Sequence, residues 1–274
     1  MARRSQLIPW KVAGRVSERH SSGDDVVRET GWVFNNATGN HLTLAEFVAS
    51  GDDEVPAYLE AFDLRSDANQ GRTVVEIGSG IGRMTAAFTR EFGYVIAADL
   101  DIGFLERCHE TVARFGRAER LHTLEVADGR SLDLPDDSVD LAFSYITLQH
   151  CAPADALHLA SEAVRVTRPG GSVALNFRGS SRLDPVLLPL GAVIRAAFRV
   201  PRVGEWLSQQ RVITRLAWQV SRIDPEQVLS LLEGRLTSIA VYTGQPARPV
   251  PEGAVWRHFD GINQNHWWLI ATVR

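Results

Sequence analysis

Residues 74–83, Val-Val-Glu-Ile-Gly-Ser-Gly-Ile-Gly-Arg, constrain the fold more than any other stretch of the chain. A short β-branched run (Thr73, Val74, Val75, Ile77) reads as a buried parallel strand. Gly78, Gly80 and Gly82 follow at alternate positions, and Arg83-Met84-Thr85-Ala86-Ala87-Phe88 then restarts at helical spacing. Strand, glycine turn and helix make the first half of a βαβ unit, in which bare backbone approaches a ligand at a helix N-terminus. Asp99 closes the next apolar run, Tyr94 to Ala98, about 20 residues beyond the first glycine, the separation expected of an acid that binds a ribose. The glycine spacing disfavours a dinucleotide, because G-x-G-x-x-G needs its third glycine where this chain has Arg83.

Further landmarks follow in order. Leu121–Val126 reads as a third strand ending in Ala127-Asp128-Gly129. Leu134-Pro135-Asp136-Asp137-Ser138 is turn chemistry, since Pro fixes φ and Asp bonds its own backbone, and it leads into a fourth strand at Leu141–Tyr145. Arg165-Val166-Thr167-Arg168-Pro169-Gly170-Gly171 closes a helix and enters a fifth strand, Ser172–Phe177. The pattern E-x-G-x-G-x-G from Glu76 to Gly82 resembles the first motif of class I S-adenosylmethionine-dependent methyltransferases. Residues 165–171 resemble that family's R-x-L-x-P-G-G signature, with Val166 and Arg168 at the variable places. The resemblance covers roughly residues 70–178 and fits the C-terminal strands more weakly. It implies an α/β fold, a doubly wound seven-stranded mixed sheet of Rossmann-like methyltransferase type. It also implies S-adenosyl-L-methionine as cofactor and methyl transfer to a small-molecule acceptor. Carried over by position, the cofactor residues are Glu76, Gly78, Ser79 and Gly80 in the loop and Asp99 with Leu100 at the ribose. Asp128 and Gly129 fall at the adenine, and Ser144 at the end of the fourth strand.

Around that core the whole chain, 1–274, reads as a single domain. Residues 1–70 form an N-terminal helical cap, 71–178 the cofactor-binding core, 179–222 a helical insert, and 223–274 a C-terminal helix and antiparallel strand pair. Helical pieces are expected around Thr43–Ser50 and Val55–Leu64, with a loop at Asn35–Asn40. Asp224 is a candidate N-cap with Pro225 at the first helical position, and the last strands are read at Leu236–Tyr242 and His266–Val273. Composition agrees with a cytoplasmic enzyme: net charge −4 and pI about 6.1 supply no basic field for nucleic acid. Met1-Ala2-Arg3-Arg4 lacks a following apolar run, so no secretory leader is expected. The most apolar stretch, Val186–Val200, is interrupted by Pro189, Gly191, Arg195 and Arg199 and is too short for stable membrane insertion. Lys11 is the sole lysine, which reads as the base composition of a GC-rich bacterium. A homodimer is left open.

The acceptor side is less determined. His150, just past the fourth strand, stands where ligands of open α/β sheets bind, and its near-neutral pKa suits proton removal. A histidine that only bonds backbone fits the sequence equally well. Cys151 beside it reads as a packed thiol, and His150, Cys151 and His158 lack metal-ligand spacing, so no metal is expected. Between Arg178 and Arg222 lie eight arginines against two acids, Asp184 and Glu205, a local balance of +6. Arg211 and Arg215, one helical turn apart, are the candidates for an anionic or amphiphilic acceptor under a lid; a solvated arginine face is the competing account. Trp267 and Trp268 read as packing. Whether O, N or C receives the methyl group stays open. The alternatives are a methyltransferase-like binding protein without turnover and a nicotinamide-dependent oxidoreductase.

Overall fold

The computed structural model describes residues 22–27, 42–181, 183–197, 200, 203, 206–207, 221–244, 253–260 and 265–274. Asn35–Asn40, Arg211 and Arg215 lie outside the described residues. The first long helix is α1, Leu44–Ala61. A βα succession follows: β1 Thr73–Ile77, α2 Thr85–Glu91, β2 Tyr94–Asp99, α3 Ile102–Phe115, β3 Leu121–Glu125, β4 Val139–Ser144, α4 Pro153–Val166 and β5 Thr167–Arg178. Helix α5, Asp184–Ala197, opens the insert, and α6, Pro225–Leu231, follows it. The chain closes with β6 Leu236–Thr243, β7 Val255–His258 and β8 His266–Val273.

The strands form one sheet in the order β3-β2-β1-β4-β5-β8-β6-β7. The first five are parallel, and β8 runs antiparallel to both β5 and β6. The sheet thus has eight strands where seven were expected. The extra one, Val-Trp-Arg-His, pairs in parallel with Ala240–Thr243 at the open edge, an extended β-branched and aromatic run too short to stand out by alternation. The fifth strand starts earlier than its apolar run, because Thr167 pairs with Val139 ahead of a bulge that carries Pro169-Gly170-Gly171. Strand order reverses between β1 and β4, so a crevice opens at their carboxyl ends.

Period-two alternation splits the core into two layers. Val74, Val95, Phe143 and Trp268 face α1, α2 and α3, packing on Phe47, Tyr58, Leu59, Phe88 and Val112. Val75, Ala142, Val173 and Trp267 face the other way, onto Leu159, Ala163 and Val228. Each tryptophan therefore serves one layer. Trp268 sits inside an aromatic cluster with Tyr58 and Phe62, and Trp267 Nε1 donates to Ile223 O at 2.8 Å.

The two expected helical pieces before β1 are one helix. Gly51-Asp52-Asp53 and Pro56 read as breakers, yet α1 runs through them. A capping box starts it: Glu46 N–H donates to Thr43 Oγ1 and Thr43 N–H donates to Glu46 Oε2. Gly51 is the contact point with the sheet body, since a Cβ there would lie 2.2 Å from the carbonyl oxygen of Arg83. What reads as a helix breaker in the sequence is the place where α1 crosses the turn after β1. Asp224, whose N–H donates to Gln227 Oε1, starts α6 with Pro225 as expected.

Candidate active site

The turn after β1 is drawn onto β2 by its own backbone. Gly78 N–H and Ser79 N–H both donate to Ala98 O, at 2.7 and 3.2 Å, and Gly80 N–H donates to Asp99 Oδ2 at 2.9 Å. Gly78 has φ +84°, and a Cβ there would stand 2.1 Å from Thr147 Oγ1. Only glycine satisfies both conditions. The second oxygen of Asp99 accepts from Asp101 N–H at 3.0 Å, so the carboxylate is fixed at the tip of β2.

A cavity lies against this turn at the carboxyl ends of β1, β2 and β4. Glu76, Gly78, Ser79, Gly80, Asp99, Leu100, Gly129 and His150 all line it, so most of the residues singled out in the sequence converge there. Two do not. Ser144 is fully buried and donates to Ile77 O at 3.0 Å, tying the ends of β4 and β1 together beneath the cavity. Asp128 is half-exposed, and its Oδ1 accepts from the backbone N–H groups of Arg130 and Ser131, which holds its carboxyl below the ordinary range although burial pulls the other way.

Two carboxylates share the cavity wall, Glu76 buried and Asp99 half-buried. Burial pushes Glu76 up to about 7, against the opposing pull of the Thr85 hydroxyl, which donates to Oε2 at 2.6 Å, and of Arg83. Burial likewise pushes Asp99 up to about 6, against the N–H groups of Asp101 and Gly80. Two acids beside a cradle of bare glycine backbone suit a ligand with a cationic tail and a ribose diol, as S-adenosylmethionine has.

Several wall residues were not singled out in the sequence. Phe47 comes from α1, Met84 and Arg83 from the turn before α2, Phe104 from α3, and Tyr145 and Ile146 from the end of β4. Arg83, buried, pairs with Glu54 of α1 at 2.9 Å and donates to Ser50 Oγ at 3.2 Å. Its 29-residue separation from Glu54 hides this pair from any local pattern. Tyr145 stacks on Trp268 with ring centroids 5.4 Å apart, and its hydroxyl is hydrogen-bonded to that of Tyr58, both phenols raised by burial. Ile146 has φ +54°, a left-handed conformation that a β-branched residue rarely takes. Its N–H donates to Asn176 Oδ1 at 3.3 Å, which holds it there. The one usable sequence signal for this group was Asn176, a polar residue inside an apolar strand.

His150 ends a single 3₁₀ turn, Leu148–His150, and is buried. Its Nε2 stands 3.1 Å from Gln149 Nε2, a contact that orients the ring. Cys151 also lines the cavity, but burial pushes its thiol up to about 12, so it stays protonated and un-nucleophilic. The C-terminal end of the insert is laced to this turn, with Ser221 N–H donating to Gln149 O at 2.6 Å and Ser221 Oγ donating to Cys151 O.

Comparison with known proteins agrees with this geometry. Residues 75–175 match a family profile described as a methyltransferase domain. The ubiquinone/menaquinone biosynthesis C-methyltransferase UbiE of Vibrio vulnificus is 30% identical over 213 residues, covering 74% of this chain and 77% of the relative. The UbiE of Vibrio campbellii is 27% identical over 222 residues, covering 78% and 80%. The fold matches that of the magnesium protoporphyrin IX methyltransferase of Synechocystis, solved with bound S-adenosylhomocysteine. That likeness has a TM-score of 0.53 at 15% identity, over 92% of this chain and 97% of that one. With glycine loop, paired acids and sheet order in place, the chain belongs to the class I S-adenosylmethionine-dependent methyltransferases and transfers a methyl group to a small-molecule acceptor.

Proposed function

We propose that the cavity at the ends of β1, β2 and β4 holds the cofactor, with the acceptor entering beside His150. S-adenosylmethionine supplies a methyl group already activated on a sulfonium, which leaves proximity, alignment and proton removal to the protein. Asp99 takes the two ribose hydroxyls, with Gly80 N–H fixing one of its oxygens. Glu76 offers its charge to the cationic methionine tail, and Gly129 and Leu100 flank the nucleoside. Asp128 reaches the adenine amine from the rim, and Ser144 acts from below by holding two strand ends together. His150 removes the acceptor's proton when that acceptor is a hydroxyl or a protonated amine.

The observation that carries this reading is the Asp99 carboxylate, half-buried and clamped to the glycine loop, on the same cavity as His150. A carbon acceptor is the second reading, favoured by the apolar wall of Phe47, Met84, Phe104 and Ile146 and by the C-methyltransferase name of the relatives. One paired experiment separates the roles. Calorimetric titration with S-adenosylhomocysteine should show Asp99→Asn weakened about 10- to 100-fold, the loss of one charge-assisted pair. His150→Ala should leave that affinity unchanged. Acceptors are then sought by S-adenosylhomocysteine release across phenols, amines and activated carbons. With a hydroxyl acceptor, kcat of His150→Ala should fall by roughly 10²–10⁴. Undiminished turnover would remove the base role and leave the carbon reading.

A further inference from the structure

The charged groups of the cavity wall are acidic with one exception. Glu76, Asp99 and Asp101 bring carboxyl groups to it, and Arg83 is the only arginine or lysine among the described residues that line it. The Arg83 side chain is 6% exposed, so its charge is largely out of water and needs anions close by. Helix α1 supplies one. Nη2 pairs with Glu54 Oε2 at 2.9 Å, Nη1 donates to Ser50 Oγ at 3.2 Å, and the Phe47 ring centroid lies 5.9 Å from the guanidinium carbon. A guanidinium carries five N–H donors in a planar fork. The bonds to Glu54 and Ser50 hold that fork in one orientation and leave donors for a further anion.

Position in the chain selects that anion. Arg83 directly follows Gly82, in the turn that Gly78 and Gly80 begin, while His150 comes from the turn after β4. The Arg83 charge is felt at Glu76, where it opposes the rise of that carboxyl. An acid and a guanidinium on one wall, both buried, fit a ligand that carries an ammonium and a carboxylate on the same carbon. The methionine tail of the cofactor is such a zwitterion. Glu76 alone would answer its ammonium and leave its carboxylate unpaired among other carboxyl groups, at an electrostatic cost.

We propose that Arg83 is a specificity-determining residue of the cavity, taking the carboxylate of the methionine tail and so rejecting ligands that lack it. This rests on the reading of the cavity as the S-adenosylmethionine site. The test is a thermodynamic cycle by calorimetry, with wild type and Arg83→Gln each titrated with two ligands. One is S-adenosylhomocysteine, and the other is its decarboxylated analogue, which keeps the ammonium and loses the carboxylate. The wild type should prefer S-adenosylhomocysteine by about 10- to 100-fold, the contribution of a charge-assisted pair. In Arg83→Gln that preference should shrink to within about threefold, through lost affinity for S-adenosylhomocysteine alone. Arg83→Lys, which keeps the charge but not the fork, should fall between the two. A wild type that binds both ligands equally overturns the proposal without any variant having to fold. So does an Arg83→Gln chain that weakens both ligands alike, for Arg83 would then only brace α1, and so does one that keeps the wild-type preference. A wild type that binds neither ligand overturns the cofactor reading together with this proposal, an outcome distinct from those.

Discussion

Around the glycine loop the backbone N–H groups of Gly78, Ser79 and Gly80 are all taken by β2, whereas along α5 the side chains of Val186, Leu190 and Val193 face solvent. The first region spends its polar groups on holding one backbone shape, and its space is so filled that a single methyl group would overlap Thr147. The second presents surface with little internal constraint of its own. The contrast separates two tasks. Cofactor capture demands a fixed cradle, because the ligand is always the same molecule. The 184–197 helix carries no comparable constraint on its outer face.

The contrast is broken most directly at Gly78. Gly78→Ala should cost on the order of 2–4 kcal/mol, combining a left-handed backbone penalty with overpacking against Thr147. Thermal unfolding reads the loss of stability, and calorimetry should find cofactor binding severely weakened. A variant with wild-type melting and affinity would mean the cradle is far softer than its contacts indicate.

Next in size is a dependence on pH that belongs to the cradle alone. Glu76 rises from an ordinary 4.5 to about 7 and Asp99 from 3.8 to about 6, so the folded chain holds protons that the unfolded chain has released. The sign follows: the ligand-free protein loses stability as pH climbs through the window between those values, and the loss is complete above pH 7. For Glu76 it amounts to about 3 kcal/mol at 1.36 kcal/mol per unit. A ligand that needs both carboxylates ionised must expel their protons. Affinity for S-adenosylmethionine should therefore increase from pH 5.5 to 7.5, with proton release visible as a buffer-dependent binding enthalpy. A flat affinity across that range would detach both acids from the cofactor.

The smallest expected effect sharpens the comparison from the other side. Val193→Ser, on the exposed apolar stripe of α5, should shift stability by no more than about 0.5 kcal/mol. A destabilisation well beyond that, measured by denaturant unfolding, would show the stripe to be packed against protein in solution.

What could be read from the sequence divides along the same line. The strand, glycine turn and Asp99 are legible because each depends on residues adjacent in the chain: β-branched spacing, a φ that only glycine adopts, an acid at a strand end. The continuity of α1 is not legible, because Gly51 and Pro56 signal breaks that a capping box and the packing against Arg83 override. The rest of the cavity wall is likewise hidden. Arg83 meets Glu54, Tyr145 meets Tyr58, and Ile146 is held by Asn176, in each case across roughly 30 to 90 residues of chain. Local pattern carries no trace of such meetings. Asp128 shows the converse limit: position in a motif placed it at the cavity, while its own turn at Arg130 and Ser131 holds it on the rim.

The clasp at the base of the insert has an evolutionary consequence. Arg178 and Arg222 close on Asp184, and Ser221 is stitched to the His150 turn, so the chain leaves and re-enters the sheet body at fixed points. Whatever lies between those points can lengthen, shorten or change composition while the closure stays put. Doubling such a loop costs only about 0.6 kcal/mol in closure entropy. Descendants of this scaffold could therefore exchange the stretch as a cassette, acquiring new clients by recombination while Gly78, Asp99 and their neighbours are inherited intact.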